Sequence, residues 1–466
     1  MGLLRRCAST STSTSSSTPA ATLAPTLILG LAAVALVVLP VAPAAAQPSD
    51  DAHAPIAQPF RLGAPDVEVE LELRAQGARG QDDDDRLERD LQRLRAGLSI
   101  DVRQRITPTW QARAELQLRI EQASEQPVAG DAERTSLGAR ALFLQYRSDD
   151  EALRVRAGRQ PLDDATGWFI DADVDGVRLD VGNAKRRLDL SLSREAPFDN
   201  GRDEDEHTLN ALAALSFDVG RKSDWTPWIL HRRADGTDGE DDAQVTWLGL
   251  QGVGRTTDRL RYWFNAGARR GDERRGDGGN RELTGQAIDI GATRVFQIEH
   301  RPRLTLGWAR ASGDASRADG DEGFRQSGLH TNEQDFGGQF DFRYLGEVMD
   351  PELANIDIAT LGIGARATAD LSIDLVYHRY RQREPDDRLR GADLAFEPSG
   401  DSDRLGDALD LVVGYDAGEA LELQGIAGLF RPGDAFDTAG GAPRENAWLL
   451  RVDLEYTFEV RRGATR

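Results

Sequence analysis

The chain has 466 residues, a formal net charge of -22 and 6 % aromatic residues. Its one cysteine, Cys7, precedes the first apolar run, so a chain cleaved after that run has no disulfide framework, zinc thiolate or thiol nucleophile. No later segment supplies the ~20 apolar residues of a membrane helix, which excludes a helical membrane protein but leaves a strand-built one open.

The N-terminus reads as an export signal. Arg5 and Arg6 give a basic start, Leu27 to Leu39 is an apolar core, and Ala44-Ala45-Ala46 supplies small residues for cleavage before Gln47. The chain then divides into a signal peptide over 1–46, a periplasmic N-terminal segment over 47–66 and a barrel over 67–460.

From Val67 onward the apolar period is two. Leu94, Ala96, Leu98, Ile100 and Val102 alternate with Arg93, Arg95, Gly97, Ser99 and Asp101. Trp110 to Ile120 repeats the pattern with Arg113 and Arg119 on the polar face, and Trp448 to Phe458 does so with Arg451, Asp453 and Glu455. Runs beyond ten residues fit tilted membrane strands better than the five or six residues usual in soluble sheets. About 18 such segments are expected, the one near 136–147 with ambiguous facing.

The connectors alternate between two kinds. Short ones fall at Ile106–Thr109, Ser148–Glu151, Gly182–Lys185, Gly220–Asp224, Gly254–Asp258, Glu299–Pro302, Ala367–Asp370 and Asp416–Glu419. Long ones cover 78–91, 123–134, 161–173, 195–206, 235–242, 271–282, 313–354, 384–406 and 432–444. This alternation predicts an all-β fold, a transmembrane antiparallel β-barrel with short periplasmic turns and long outer loops, in the outer membrane of a Gram-negative bacterium.

The charge is unevenly placed. Residues 1–46 carry only Arg5 and Arg6, so the remainder holds 55 basic and 79 acidic residues. The nine long loops hold about 47 acidic and about 15 basic residues, so the rest of the mature chain is mildly positive. Apolar-out alternation turns Arg93, Arg95, Arg103, Arg113, Arg119, Arg154, Arg156, Arg178, Arg261 and Arg451 inward, against Asp101, Glu115, Asp189, Asp374, Asp453 and Glu455. Such arginines either select anions or pair with the carboxylates to fill a polar lumen. Acidic runs at Asp82–Asp85, Asp203–Glu206 and Asp238–Asp242 read as solvated loops, since no spaced calcium loop is present.

Two motifs carry a resemblance to a known family. Gly158-Arg159-Gln160, Trp168 and Asp175-Gly176-Val177-Arg178-Leu179 form the first. The second runs Arg343-Tyr344-Leu345-Gly346-Glu347, Asp350-Pro351-Glu352-Leu353-Ala354-Asn355, then Thr360-Leu361-Gly362. Both resemble the alginate export family of outer-membrane porins. That resemblance implies an 18-stranded monomer that passes an anionic polysaccharide such as alginate, or small anions, through an arginine-lined constriction. The candidate positions are Arg159, Asp175, Arg178, Arg343, Tyr344 and Glu352. Arg343 lies in a loop long enough to fold inward as a constriction or plug, while Asp350-Pro351-Glu352 also reads as the start of a helical turn.

The expected partners are the lipid bilayer and lipopolysaccharide, the anionic solute, and periplasmic secretion components, with no nucleic acid and no cofactor. The first alternative is a general porin or adhesin whose lumen is closed by salt bridges. The second, a membrane-embedded hydrolase, is weaker: none of His53, His207, His231, His300, His330 and His378 neighbours a G-x-S-x-G serine.

Overall fold

The computed structural model describes residues 65–459, apart from 80–89, 127–130, 196–207, 221, 235–241, 258, 275–278, 315–319, 419 and 438–442. The expected signal peptide, residues 47–64 and most of the three acidic runs lie outside the described residues.

Strands follow one another in chain order: β1 (Asp66–Arg79), β2 (Asp90–Arg105), β3 (Trp110–Gln126), β4 (Asp131–Arg147), β5 (Leu153–Asp163), β6 (Asp171–Asn183) and β7 (Arg186–Glu195). Then come β8 (Thr208–Asp218), β9 (Ser223–Ala234), β10 (Asp242–Thr257), β11 (Leu260–Arg274), β12 (Asn280–Val295) and β13 (Arg303–Ala311). Three two-residue strands, β14 (Gly320–Asp321), β15 (Glu333–Gln334) and β16 (Phe342–Arg343), interrupt the longest loop. The wall resumes with β17 (Ile356–Arg366), β18 (Leu371–Gln382), β19 (Arg404–Asp416), β20 (Leu421–Pro432) and β21 (Ala447–Glu459). Each wall strand pairs antiparallel with its neighbours, and β1 pairs with both β2 and β21. The eighteen-stranded sheet is therefore closed and leaves no unpaired edge for lipid to meet.

The wall is inverted relative to a soluble protein. Leu137 and Leu248 are 64 % and 63 % exposed, and Val177, Leu306, Ile363 and Leu450 also face outward. Polar side chains such as Ser99, Asp101, Gln117, Arg178, Asp189, Asn265 and Asp374 are buried inside. Outside, hydrocarbon solvates leucine; inside, polar groups find partners. Near the short-turn end, the Trp110 and Tyr146 rings meet at a tilt with centroids 5.2 Å apart and Tyr456 and Phe458 do so at 6.2 Å, where amphipathic rings suit a membrane interface.

The ambiguous segment has a structural cause. Between β3 and β4 the register passes from Glu115 opposite Ala141 to Leu116 opposite Ala139, so Arg140 is one residue too many. This bulge reverses the alternation, and Leu137 and Leu142 both face outward although they stand an odd number of positions apart. The helical turn expected at Asp350-Pro351-Glu352 does not form. Asp350 has φ 40, and a residue before proline is driven out of the right-handed helical region. Among the described residues the one helix is a single 3-10 turn, Asp434–Phe436.

Candidate functional site

The loop from β13 to β17 folds into the lumen. The parallel pairing of β14 with β12 places its start at the long-loop rim, where Trp247 donates to the Arg325 carbonyl at 2.9 Å. Its middle descends until the Gln339 amide meets Ser372 Oγ at 3.1 Å and its side chain meets the Ala369 carbonyl at 3.2 Å, beside a short turn. β15 and β16 pair as a small hairpin inside the barrel. This segment is a plug crossing the lumen from the loop side to the turn side.

Rings hold the plug against β9 to β12. Trp263 stacks on Phe336 at 5.5 Å and meets Tyr344 edge-on at 6.1 Å. Phe169, from the loop after β5, stacks on Trp228 at 4.0 Å, and Trp168 stacks on Phe324 at 5.9 Å. The wall makes room by omitting side chains. A Cβ at Gly291 would stand 2.0 Å from the Trp263 ring, and one at Gly249 would stand 2.3 Å from Trp228.

A buried polar ladder joins plug to wall. Gln251, Asn265 and Asp289 lie opposite one another on β10, β11 and β12. Asp289 accepts from Trp263 Nε1 at 2.9 Å, Asn265 at 3.1 Å and the Tyr344 hydroxyl at 2.7 Å. Three donors satisfy a carboxylate that would otherwise be costly to bury. Tyr344 is 1 % exposed, so it anchors the plug and does not face a solute path.

A second anchor involves Arg343 and Glu347. The Arg343 guanidinium pairs with Asp350 at 2.7 Å and with Asp393 at 3.0 Å, which ties the plug to the loop after β18. Burial pushes the Asp350 carboxyl up to about 7, an effect that Arg343 opposes and the nearby Asp393 and Glu347 carboxylates reinforce. The Glu347 amide donates to Asp410 on β19 at 3.1 Å, and its carboxylate lies 3.4 Å from Arg451 on β21. Burial holds His330, also in the plug, down to about 4.

The other half of the wall carries paired charge. Arg93 and Arg95 both approach Glu121, at 3.3 and 2.7 Å. Arg113 reaches Asp101 at 3.0 Å and Glu115 at 2.7 Å, and Arg156 reaches Asp180 at 3.0 Å. Arg178 donates through Nε to Asp189 at 2.8 Å, through Nη2 to the same carboxylate, and to the Pro161 carbonyl at 3.3 Å. Arg451 also pairs with Asp453 at 3.1 Å. Arg154 and Arg159 make no ion pair among the described residues; Arg159 is buried opposite Asp175 in the register of β5 and β6. Glu352 lines a cavity of about 500 Å³ at the long-loop end with Arg325, Arg388 and Arg390.

The lumen keeps open space on the charged side. A cavity of about 610 Å³ lies between the plug residues Thr331, Glu333 and Phe340 and the wall of β1, β3, β4, β6, β20 and β21. Its lining holds eight carboxylates, Glu70, Glu72, Glu422 and Glu455 among them, against Arg74, Arg119 and Arg140. Of the inward arginines read from sequence, Arg119 alone lines it; Arg261 instead lines a smaller cavity near the short turns. Sequence reasoning missed Asp289, Asp335 and Asp410, the wall and plug groups that fix the loop. The small inward row Ala287, Asp289, Gly291 and Thr293 was the available signal for Asp289; its Tyr344 partner, 55 residues away, was not.

A closed barrel with short turns at one end, long loops at the other and a folded segment within is an outer-membrane channel-type barrel. Solved structures share this fold: OccK7 (OpdD) of Pseudomonas aeruginosa and OccAB3 of Acinetobacter baumannii each superpose with TM-score 0.53 and 13 % identity, covering 85 % of this chain and 99 % of theirs. The alginate export family matches residues 66–449, and the chain belongs to that family. Among its relatives, the alginate production protein AlgE of Pseudomonas aeruginosa is 26 % identical over 379 residues, 70 % of this chain and 75 % of that protein. Its namesake in Pseudomonas syringae pv. tomato is 24 % identical over 349 residues, 60 % of this chain and 68 % of that one.

Proposed function

We propose that this barrel passes an anionic uronic-acid polymer outward across the outer membrane, with the β13–β17 loop as the gate. The observation that carries the reading is the plug itself, seated in a closed barrel of the alginate export family and anchored through the motif Arg343 to Glu347. The paired arginines of β2 to β7 supply exchangeable partners. A uronate carboxylate can replace Glu121 or Glu115 on a guanidinium at little net cost, because partly exposed pairs contribute only about 0–1 kcal/mol. Arg93, Arg95, Arg113, Arg154, Arg156, Arg159, Arg178 and Arg451, with Asp175, form that path in this reading, and Arg343, Tyr344 and Glu352 hold the gate.

In the same reading the chain is cleaved after Ala46, works as a monomer in lipid and lipopolysaccharide, receives polymer from periplasmic secretion components, and moves solute without catalysing a reaction. The acidic lining of the 610 Å³ cavity favours a second reading, a salt-bridged barrel that conducts cations or is closed. Single-channel recording of the refolded barrel across a salt gradient separates the two. Anion-preferring openings that polyuronate blocks are expected; cation preference without block would sink the export reading.

A further inference from the structure

The floor of the lumen beneath the plug holds a cavity of about 220 Å³ whose charged lining is arginine alone: Arg255, Arg261, Arg301, Arg303 and Arg366. It sits where β10 to β13 and β17 reach their short turns, on the side opposite the acidic cavity. Two of the five guanidiniums are neutralised nearby, Arg261 by Asp335 of the plug and Arg303 by Asp374 of β18. The Arg366 guanidinium donates, among the described residues, to the Gly338 carbonyl at 3.4 Å. Arg255 and Arg301 make no ion pair or side-chain hydrogen bond among the described residues. Arg255 also lies directly opposite Arg261 across β10 and β11, a like-charge pairing that destabilises a sheet unless something neutralises it.

Guanidinium forks match a carboxylate in two parallel hydrogen bonds, and several forks on one cavity outside the membrane's acidic loops make an anion site. The plug tip is held here by the same chemistry. Asp335 offers both oxygens to Arg261, at 2.9 Å from Nη2 and closer still from Nη1, and Gly338 offers its carbonyl to Arg366. We propose that this cavity binds a carboxylate of the polymer at the turn-side mouth, and that the arriving carboxylate competes with Asp335 for Arg261. The proposal rests on the export reading above and names where the polymer is first held. It also gives the plug a chemical reason to move, since the ligand replaces the acceptor that ties its tip to the wall.

The test uses the refolded full barrel in lipid nanodiscs, with binding of a hexameric uronate oligosaccharide, of sulfate and of uncharged maltohexaose followed by calorimetry. Wild-type protein is expected to bind the hexauronate, and R255Q/R301Q to bind it at least fivefold more weakly. R147Q/R186Q, which removes a half-buried and an exposed arginine at other short turns, is expected to change binding less than twofold. D335N, which removes the competing carboxylate charge, is expected to tighten binding at least threefold, a gain that misfolding cannot produce. Hexauronate binding that survives R255Q/R301Q, or that falls equally in both double variants, overturns the site and leaves the export reading standing. Sulfate binding that depends on Arg255 and Arg301 without any hexauronate binding overturns the polymer assignment and the export reading together.

Discussion

The two sides of the lumen are built from the same alternating strands and filled in different ways. On β10 to β13 the inward row is interrupted by Gly249, Gly267, Gly291 and Gly307, and the rings of Trp168, Trp228 and Trp263 lie in the space so cleared. On β2 to β7 the inward row keeps Arg95, Arg113, Arg156 and Arg178, each folded back onto a carboxylate of its own or a neighbouring strand. A glycine wall admits a plug and becomes dry; an arginine wall keeps a plug off and stays wet. In the export reading proposed above, gating and conduction fall to opposite walls of one barrel, and each assignment can be broken separately.

The largest effect is expected on the dry side. Trp263→Ala removes the ring that Phe336 and Tyr344 pack against, and loss of a buried aromatic of this size costs about 3–5 kcal/mol. The plug should then leave its seat, seen as higher single-channel conductance with the barrel's strand signal in circular dichroism unchanged. An unchanged conductance would mean that the rings stabilise the wall and not the gate.

A smaller step follows from Tyr344→Phe, which keeps the ring and deletes the 2.7 Å donation to Asp289. A buried carboxylate that loses one donor costs about 1–3 kcal/mol. Plug amides should exchange hydrogen faster by roughly tenfold or more, while wall amides do not.

The Asp350 anchor gives the plug a pH dependence. With its carboxyl raised to about 7 in the docked plug, Asp350 holds a proton that the undocked plug has released between the ordinary carboxylate value and about 7. Docking is therefore favoured at low pH, weakens as pH rises through that window, and has lost this contribution above about 7. Hydrogen-exchange protection of residues 343–353 should fall from pH 5.5 to pH 8 in the wild type and stay flat in Asp350→Asn; a parallel fall in both would assign the dependence to another group.

The smallest stability effect is expected on the wet side. Arg95→Gln breaks a partly exposed pair with Glu121, worth about 0–1 kcal/mol, so the melting temperature should barely move. Loss of one of the two guanidiniums beside Glu121 should nevertheless shift the reversal potential toward cations. If stability collapses while selectivity holds, the wet wall is structural and the comparison fails.

Much of the wall was legible in the sequence, because a two-residue period and turn chemistry are local. Ile106–Thr109 and Ala367–Asp370 are the turns observed, and the long loops were bounded to within a few residues. The inward row of Arg113, Arg156, Arg178 and Arg451 followed from the same period. The facing of β4 was not legible, since the extra residue at Arg140 is absorbed by the register with β3 and leaves no mark on composition.

The sequence by itself determined the barrel, its strand order and the polarity of each face, since these depend on neighbours one or two residues away and on what lipid and water solvate. Only the tertiary structure decided that the 312–355 loop lies inside, that Tyr344 meets Asp289 and Arg261 meets Asp335, and that the open cavity is acidic while an arginine pocket sits below the plug. Those outcomes depend on which charges and rings come within a few ångströms after closure, across separations of up to 74 residues, where no local pattern records the partner.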